Sequence, residues 1–343
     1  MRHLSFTQPG DFLRERSFSQ KIEASFDFIR AHATPLARVL VTLVLPLALL
    51  TGIGLGLMQG EILSSVGSMA RRSRLGRYSD SLPEVFTSPS LWLTLLGGAL
   101  LFAVLHLVVY GYVVLQADRT RPEPVTPAEV WQLVKARILG LIGSYLGLVA
   151  LFVLSMVVIG MTMGLISAFF GAVLGAAWAG IIMILGLYAV MGYVMVALSL
   201  YFVVWLRERR GFFGSIKRCF ELIWGKWWST FGLLMVMFVM MWLILLLMMG
   251  ALSLLGLPFA ELMSGRVTEI SPLTRVLFIV YSGLQTLLSL AFYPLLMIAI
   301  SFQYFNLVER RDGEGTRLLL DSLGQAAPAA APMSLRPDDE GEY

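Results

Sequence analysis

The sequence predicts an all-α fold, a polytopic membrane helix bundle of about six spans. The first observation is composition: 57% of the residues are hydrophobic and only 14% are charged, whereas soluble domains hold roughly 45–50% apolar and about 25% charged residues. The second is length, because six apolar runs each reach the roughly 20 residues that cross a bilayer. The third is that Lys and Arg collect at the ends of those runs, as they do beside membrane spans.

The six apolar runs place the spans along the chain. They are roughly residues 37–59, 91–116, 138–169, 172–206, 228–257 and 273–307. The stretch 138–206 has two interpretations. The small residues of 171–177 either form a tight turn between two helices or break a re-entrant helix. Several runs exceed one bilayer thickness, which predicts tilted or extended helices.

The distribution of Lys and Arg predicts that both termini are cytoplasmic. With that orientation, 20 basic residues lie inside and 6 lie outside, which fits an even number of spans. The arginines between Arg71 and Arg77 oppose this orientation, because an external loop seldom carries so dense a cluster.

The chain is predicted to hold one membrane bundle, residues 1–323, followed by a disordered tail, residues 324–343. The tail is rich in Ala and Pro and ends acidic, a composition that cannot bury a core. About 35 mostly polar residues precede the first apolar run. A secretory signal would place its apolar core nearer the start, so we expect the first run to be a retained span.

An internal repeat is predicted from recurring apolar residues. Phe18, Ile22, Phe26 and Ile29 recur, at a constant offset of 194 residues, as Phe212, Ile216, Phe220 and Ile223. Both sets follow helical spacing, which indicates an amphipathic helix directly before a span. A looser copy lies at 127–138. Three units are therefore predicted, each an amphipathic helix with two spans: 17–116, 127–206 and 211–307.

Two of the even-numbered spans also end alike. Residues 206–210 read LRERR, and residues 307–311 read LVERR. The shared ending favours the same repeating unit.

The amphipathic helices predict contacts with lipid headgroups. A basic amphipathic helix beside a span lies naturally in the headgroup layer, and Trp favours the same depth. The predicted headgroup contacts are Lys21, Arg30, Lys217, Arg218, Lys226, Trp227 and Trp228. Lys21, Lys217 and Arg218 are assigned to the polar face, opposite the apolar stripe. The simpler alternative is that any helix joining two spans looks amphipathic.

One segment resembles a known family. Residues 215–235, SIKRCFELIWGKWWSTFGLLM, run from a basic amphipathic helix through Gly-Lys-Trp-Trp into a span. This pattern resembles bacterial multi-pass membrane proteins of the glycerophosphodiester phosphodiesterase membrane-domain type and their uncharacterised relatives. The resemblance implies a membrane bundle in the bacterial plasma (inner) membrane. It implies no catalytic residue, because the phosphodiesterase domain fused to some of those bundles has no counterpart in this sequence.

The sequence carries no recognisable enzyme chemistry. It has one cysteine, Cys219, and three scattered histidines, His3, His32 and His106, without metal-ligand spacing. It has no phosphate-binding loop, HExxH motif or CxxC pair, and its acidic residues lie outside the predicted spans. We therefore expect a protein that is not an enzyme and that uses no cofactor or metal.

Polar residues within the spans predict a candidate intramembrane site. His106 lies in the second run, and Tyr110 shares its helical face. Ser282, Gln285 and Ser289 form a stripe on the last run. These groups either line a proton-sensitive or substrate-contacting cavity, or they form ordinary hydrogen bonds, with a neutral His106 bonded to a neighbouring helix.

Two functions fit these features. The first is a non-enzymatic scaffold, assembly or lipid-interacting subunit at the cytoplasmic face. Its partners would be membrane lipids, anionic ones included, and other membrane proteins, but not nucleic acid. The alternative is a transporter or permease component for a small or lipid-like molecule. A polar cavity lined by His106 and Gln285 would favour transport, and a bundle packed shut would favour the scaffold.

Overall fold

The structure, a computed structural model, describes residues 6–74, 87–119, 123–174, 176–253 and 272–324. Within these ranges the regular elements are all α-helices. In chain order they are α1 (Pro9–Phe12), α2 (Phe18–Leu43), α3 (Leu45–Arg74), α4 (Pro89–Ala117), α5 (Pro127–Leu174), α6 (Ala176–Leu198), α7 (Tyr201–Glu208), α8 (Gly211–Ile223), α9 (Trp227–Ser253), α10 (Pro272–Asp312) and α11 (Glu314–Gly324). The predicted disordered tail lies outside the described residues except for Gly324, where α11 ends.

Six stretches of helix are long and apolar enough to cross a membrane. Spans 1 to 6 are Leu45–Ile62, Pro89–Ala117, Pro127–Ile166, Met183–Glu208, Trp227–Leu247 and Ile279–Asp312. The predicted all-α membrane bundle is therefore confirmed, and the chain is a multi-pass membrane protein. The side chains from Arg71 to Arg77, which opposed the predicted orientation, lie outside the described residues.

Span 1 begins at Leu45, not near residue 37. Residues 37–43 instead complete α2, which bends at His32, where φ is −115° and ψ is 18°. Pro46 explains the break that follows α2, because it has no N–H to donate and its ring crowds the preceding turn.

The stretch 138–206 holds two helices. α5 runs unbroken to Leu174, α6 begins at Ala176, and the two pack against each other. Gly175, between them, lies outside the described residues. The looser repeat copy at 127–138 is the first part of α5 rather than a separate helix. No Gly or Pro interrupts the sequence between Pro127 and Gly140, so nothing stops the helix there.

The two closely matching repeat copies, in α2 and α8, bury corresponding residues. Helix α2 buries Lys21, Ala24, Ser25 and Phe28, and α8 buries Ser215, Arg218, Cys219 and Leu222. Each pair is separated by 194 residues. The predicted apolar stripe lies beside this face, and its first member, Phe18, is 40% exposed. Lys21 and Arg218 thus lie on the buried face, which corrects their assignment to the headgroup-facing side. The three-unit layout itself stays a prediction.

Both described ends of the chain meet at one end of the bundle. Arg207, at the end of span 4, lies 3.9 Å from Asp118, which follows span 2, and 2.8 Å from Glu314 of α11. Arg310 of span 6 lies 3.7 Å from Glu15. Spans 2, 4 and 6 therefore end on the same side of the membrane. We call the side marked by these five residues the charged end; its assignment to the cytoplasm stays a prediction.

Helices α3 and α10 cross at close range. A Cβ atom at Gly52 would lie 2.9 Å from the Cα of Gly283 and 3.2 Å from Oγ1 of Thr286. A Cβ atom at Gly283 would meet nothing within 4 Å. Small residues allow this backbone-to-backbone approach, which stabilises helix pairs in a membrane.

We expect Gly52→Ala to lower the free energy of unfolding by about 1–3 kcal/mol, because the added methyl group overpacks against backbone that cannot rotate away. Gly283→Ala is the matched control, and its stability should equal or exceed that of the parent, since Ala favours a helix over Gly. Thermal unfolding in detergent micelles measures both. Equal losses in the two variants would contradict the crossing geometry.

Candidate functional site

Glu208 is the centre of the charged end. Its carboxylate accepts hydrogen bonds from Nε of Arg218, at 3.0 and 3.1 Å, and from the hydroxyl of Tyr304, at 3.0 Å. Nε of Arg210 lies 2.7 Å away. One carboxylate therefore connects the end of span 4 to α8 and to span 6.

Arg218 is buried within this network. It is 6% exposed and also pairs with Asp312. Burial lowers its pKa, but the hydrogen bonds to Asp312 and Glu208 outweigh that effect and hold the pKa above its ordinary value. Arg218 thus stays charged and holds α8 against the bundle, so it is not available to lipid headgroups.

Glu309 has a related role at the end of span 6. Its carboxylate accepts hydrogen bonds from the backbone N–H of Thr316, at 3.0 Å, and from the Thr316 hydroxyl, at 2.7 Å. The backbone N–H of Gly315 donates to it as well, at 2.5 Å. Glu309 thereby caps the first turn of α11. Glu208 and Glu309 hold the same position in the two matching span endings, and each fixes the helix that follows.

Lys21 connects three helices. Its Nζ donates hydrogen bonds to Gln303 Oε1, at 2.7 Å, and to Ser229 Oγ, at 2.8 Å, and Gln303 Nε2 donates to Thr230 Oγ1, at 2.8 Å. Lys21 is only 2% exposed, and burial, followed by the charge of Arg310, lowers its pKa to about 8. Lys21 therefore joins α2, α9 and α10 and is shielded from the surface of the bundle. Neither of its two polar partners, Gln303 and Ser229, was predicted from the sequence, although each is a polar side chain beside or within an apolar run.

The segment before α2 closes the charged end. Phe6 and Phe12 are fully buried, and their ring centroids lie 5.3 and 6.0 Å from that of Phe302 in span 6. The backbone N–H of Arg16 donates to Asn306 Oδ1 at 2.7 Å, and its guanidinium lies 5.1 Å from the Phe302 ring centroid. The segment before α2 is mostly polar in sequence, yet it closes this end of the bundle with the buried rings of Phe6 and Phe12.

His106 lies in an aromatic cage inside the bundle. Its ring centroid lies 4.0 Å from that of Phe102, 5.6 Å from Tyr110, 5.9 Å from Tyr145 and 5.0 Å from Phe202. Its Nδ1 lies 2.8 Å from the carbonyl oxygen of Phe102, one turn earlier on the same helix. The hydrogen bond at Nδ1 therefore lies within α4, whereas the sequence predicted a hydrogen bond to a neighbouring helix.

The polar stripe of α10 does not converge on His106. Ser282 Oγ donates to Gln59 Oε1 of α3 at 3.0 Å, which is an interhelical hydrogen bond. Ser289 Oγ donates to the carbonyl oxygen of Gln285 at 2.9 Å, within its own helix. Ser289 also lines a cavity between α3, α4 and α10, whereas His106 lies one side chain away, behind Phe102.

The remaining predicted headgroup residues lie at the surface near the charged end. Arg30, Lys217, Lys226 and Trp228 are exposed. Trp227 is half-buried, because its ring stacks on Phe231, with centroids 4.9 Å apart, and on Tyr193, at 6.0 Å. Of the seven predicted headgroup contacts, four are thus exposed and Trp227 is half-buried, whereas Lys21 and Arg218 are buried.

The described residues contain no group of three or more His, Cys, Asp or Glu side chains placed to hold a metal ion. The six spans and the charged end define an integral membrane helix bundle. Comparisons with protein-family models, curated protein sequences and solved structures find no match to the chain. The family resemblance of residues 215–235 therefore stays a prediction.

Proposed function

We propose that this chain is a non-enzymatic membrane protein that binds lipid headgroups beside its charged end and takes part in membrane assemblies. The observation that carries the proposal is an exposed basic and aromatic surface where α8 meets α9. We call it the interfacial surface, and its residues are Phe213, Lys217, Trp224, Lys226 and Trp228. Three of them, Phe213, Trp224 and Trp228, are each at least 77% exposed.

The turn between α8 and α9 places the interfacial surface on the outside of the bundle. Helix α8 ends at Ile223, and Gly225, with φ of +74°, supplies the turn into α9. Arg218 holds one face of α8 against the bundle, so Lys217 points away from it. Trp favours the headgroup layer because its ring is amphipathic, and Lys attracts anionic headgroups. The surface therefore suits an anionic leaflet, such as the cytoplasmic leaflet of a bacterial plasma membrane.

The assembly part of the proposal is supported by the α5–α6 hairpin. Large apolar side chains on both helices are exposed, among them Leu165 at 74% and Tyr188 at 71%. Lipid satisfies such a surface, and so does another membrane protein. We favour a role in which this hairpin contacts partner helices within the bilayer.

Transport, the alternative function, has weaker support. The aromatic rings of Phe6 and Phe12 close the charged end, and neither His106 nor Gln285 lines the cavity between α3, α4 and α10. The cavity near Ser289 is mostly apolar.

The double variant Lys217→Gln/Lys226→Gln tests the proposal. Native mass spectrometry of protein purified from mixed anionic and zwitterionic lipid should show about thirtyfold weaker retention of the anionic lipid, because each of the two Lys near a surface contributes roughly 1 kcal/mol. The control is Arg14→Gln/Arg317→Gln, which removes two other exposed charges of the charged end and should change retention much less. Equal retention by all three proteins would exclude lipid binding at the interfacial surface.

A further inference from the structure

A cavity of about 140 Å³ lies between spans 1, 2 and 6. Its walls are Ala48 of α3, Gly98, Leu101, Phe102 and Leu105 of α4, and Thr286, Ser289, Leu290 and Tyr293 of α10. Phe102 is 45% exposed, and Gly98 and Leu290 are partly exposed, so the cavity opens sideways from the bundle.

The cavity lies at the depth of the bilayer interior. Its α4 wall, 98–105, is centred in span 2, its α10 wall, 286–293, lies within span 6, and Ala48 of α3 lies in the first turn of span 1. At this depth the surrounding medium is hydrocarbon. A molecule that enters from the side therefore comes from the lipid phase.

The walls offer little to a polar ligand. The hydroxyls of Thr286 and Ser289 already donate to the carbonyl oxygens of Ser282 and Gln285, at 2.7 and 2.9 Å. The remaining lining side chains are aliphatic or aromatic, and among them only Tyr293 adds a further hydroxyl. An apolar cavity of about 150 Å³ is large enough to hold a molecule the size of benzene.

Small residues and a fixed helix crossing keep the cavity open. A Cβ atom at Gly98 would meet only the Cγ2 of Thr51, at 3.8 Å, so the space beside Gly98 is unfilled. The contact of Gly52 with Gly283 fixes α3 against α10 and prevents the walls from collapsing inward.

We propose that this cavity binds a segment of one acyl chain of a membrane lipid. The occupant is hydrocarbon because of the depth, the apolar walls and the lateral opening. This site goes beyond headgroup binding at the interfacial surface, and either site can fail without the other. A lipid held here would fill the gap between three spans and so stabilise the bundle.

A phospholipid with a photoreactive diazirine midway along its acyl chain tests the proposal in nanodiscs. After illumination, peptide mapping of the parent protein should find label concentrated in 98–105 and 286–293, in excess of the label on the exposed part of α5. Gly98→Leu fills the cavity and should reduce that label at least fivefold. Ala99→Leu, one residue away and facing lipid, should leave it unchanged.

Ser289→Leu fills the cavity from its opposite wall and should reproduce the loss of label, which guards against misfolding of the first variant. The headgroup variant Lys217→Gln/Lys226→Gln should label these segments as the parent does, which distinguishes this site from the interfacial surface. Unchanged labelling in both cavity-filling variants, or label spread evenly over the exposed helices of the parent, would overturn the proposal.

Discussion

Glu208→Gln is expected to lower the free energy of unfolding by about 2–4 kcal/mol, because it leaves a buried guanidinium with one carboxylate fewer. Arg218 is 6% exposed and divides its hydrogen bonds between Glu208 and Asp312. The hydroxyl of Tyr304 also loses a charged acceptor in this variant. Thermal and denaturant unfolding in detergent micelles, followed by tryptophan fluorescence, measure the loss.

The matched control is Glu15→Gln, another glutamate near an arginine of the charged end. Its side chain is 63% exposed and lies 3.7 Å from Arg310, so its removal should cost less than about 1 kcal/mol. Because Glu208 and Arg218 act on each other, Glu208→Gln combined with Arg218→Met should cost less than the sum of the single variants. Similar losses for Glu208→Gln and Glu15→Gln would contradict the central position of Glu208.

Phe12→Ala is expected to detach the segment before α2 from the charged end. The Phe12 ring packs against Phe6, Phe28, Phe302 and Phe305, with centroid distances from 5.5 to 6.0 Å. Truncating a buried Phe costs about 3–5 kcal/mol. The segment lies outside the six spans, so most of this loss should appear as local opening rather than global unfolding.

Hydrogen exchange is the measurement for Phe12→Ala. The amides of Leu13 and Arg16, bonded to Pro9 O and Asn306 Oδ1, should exchange at least about a hundredfold faster than in the parent. Phe18→Ala is the control, since Phe18 is 40% exposed, and it should leave these two amides protected. Unchanged protection in Phe12→Ala would mean that the aromatic contacts do not hold the segment.

The membrane bundle could be predicted from the sequence because a bilayer sets a length that each span must reach. The buried face of α2 could not be predicted from the sequence. Lipid is as apolar as a protein core, so the stripe that contains Phe18 need not turn inward. Lys21 turns inward instead, since Gln303 and Ser229 accept hydrogen bonds from its ammonium group, and these partners lie more than 200 residues away in the chain.

The surroundings of the candidate intramembrane residues could be predicted only in part. His106 does lie inside the bundle, as its polarity within an apolar run indicates. Which residues it meets depends on the order of the helices, because its face of α4 turns to Tyr145 and Phe202. Ser282 turns to Gln59 of α3 instead. A single sequence gives the helical face of each residue but not the neighbour that the face meets.

The orientation of the charged end is tested most directly by cysteine accessibility. The only cysteine, Cys219, is fully buried, so a Cys219→Ser background accepts single cysteines at Arg14, Lys217, Arg317 and, between spans 1 and 2, Thr87. On intact cells a membrane-impermeant maleimide should label only the cysteine at position 87, and the other three should react only after permeabilisation. Labelling of positions 14 and 317 from opposite faces would contradict the six-span bundle. Labelling of positions 14, 217 and 317 from outside would overturn their cytoplasmic assignment.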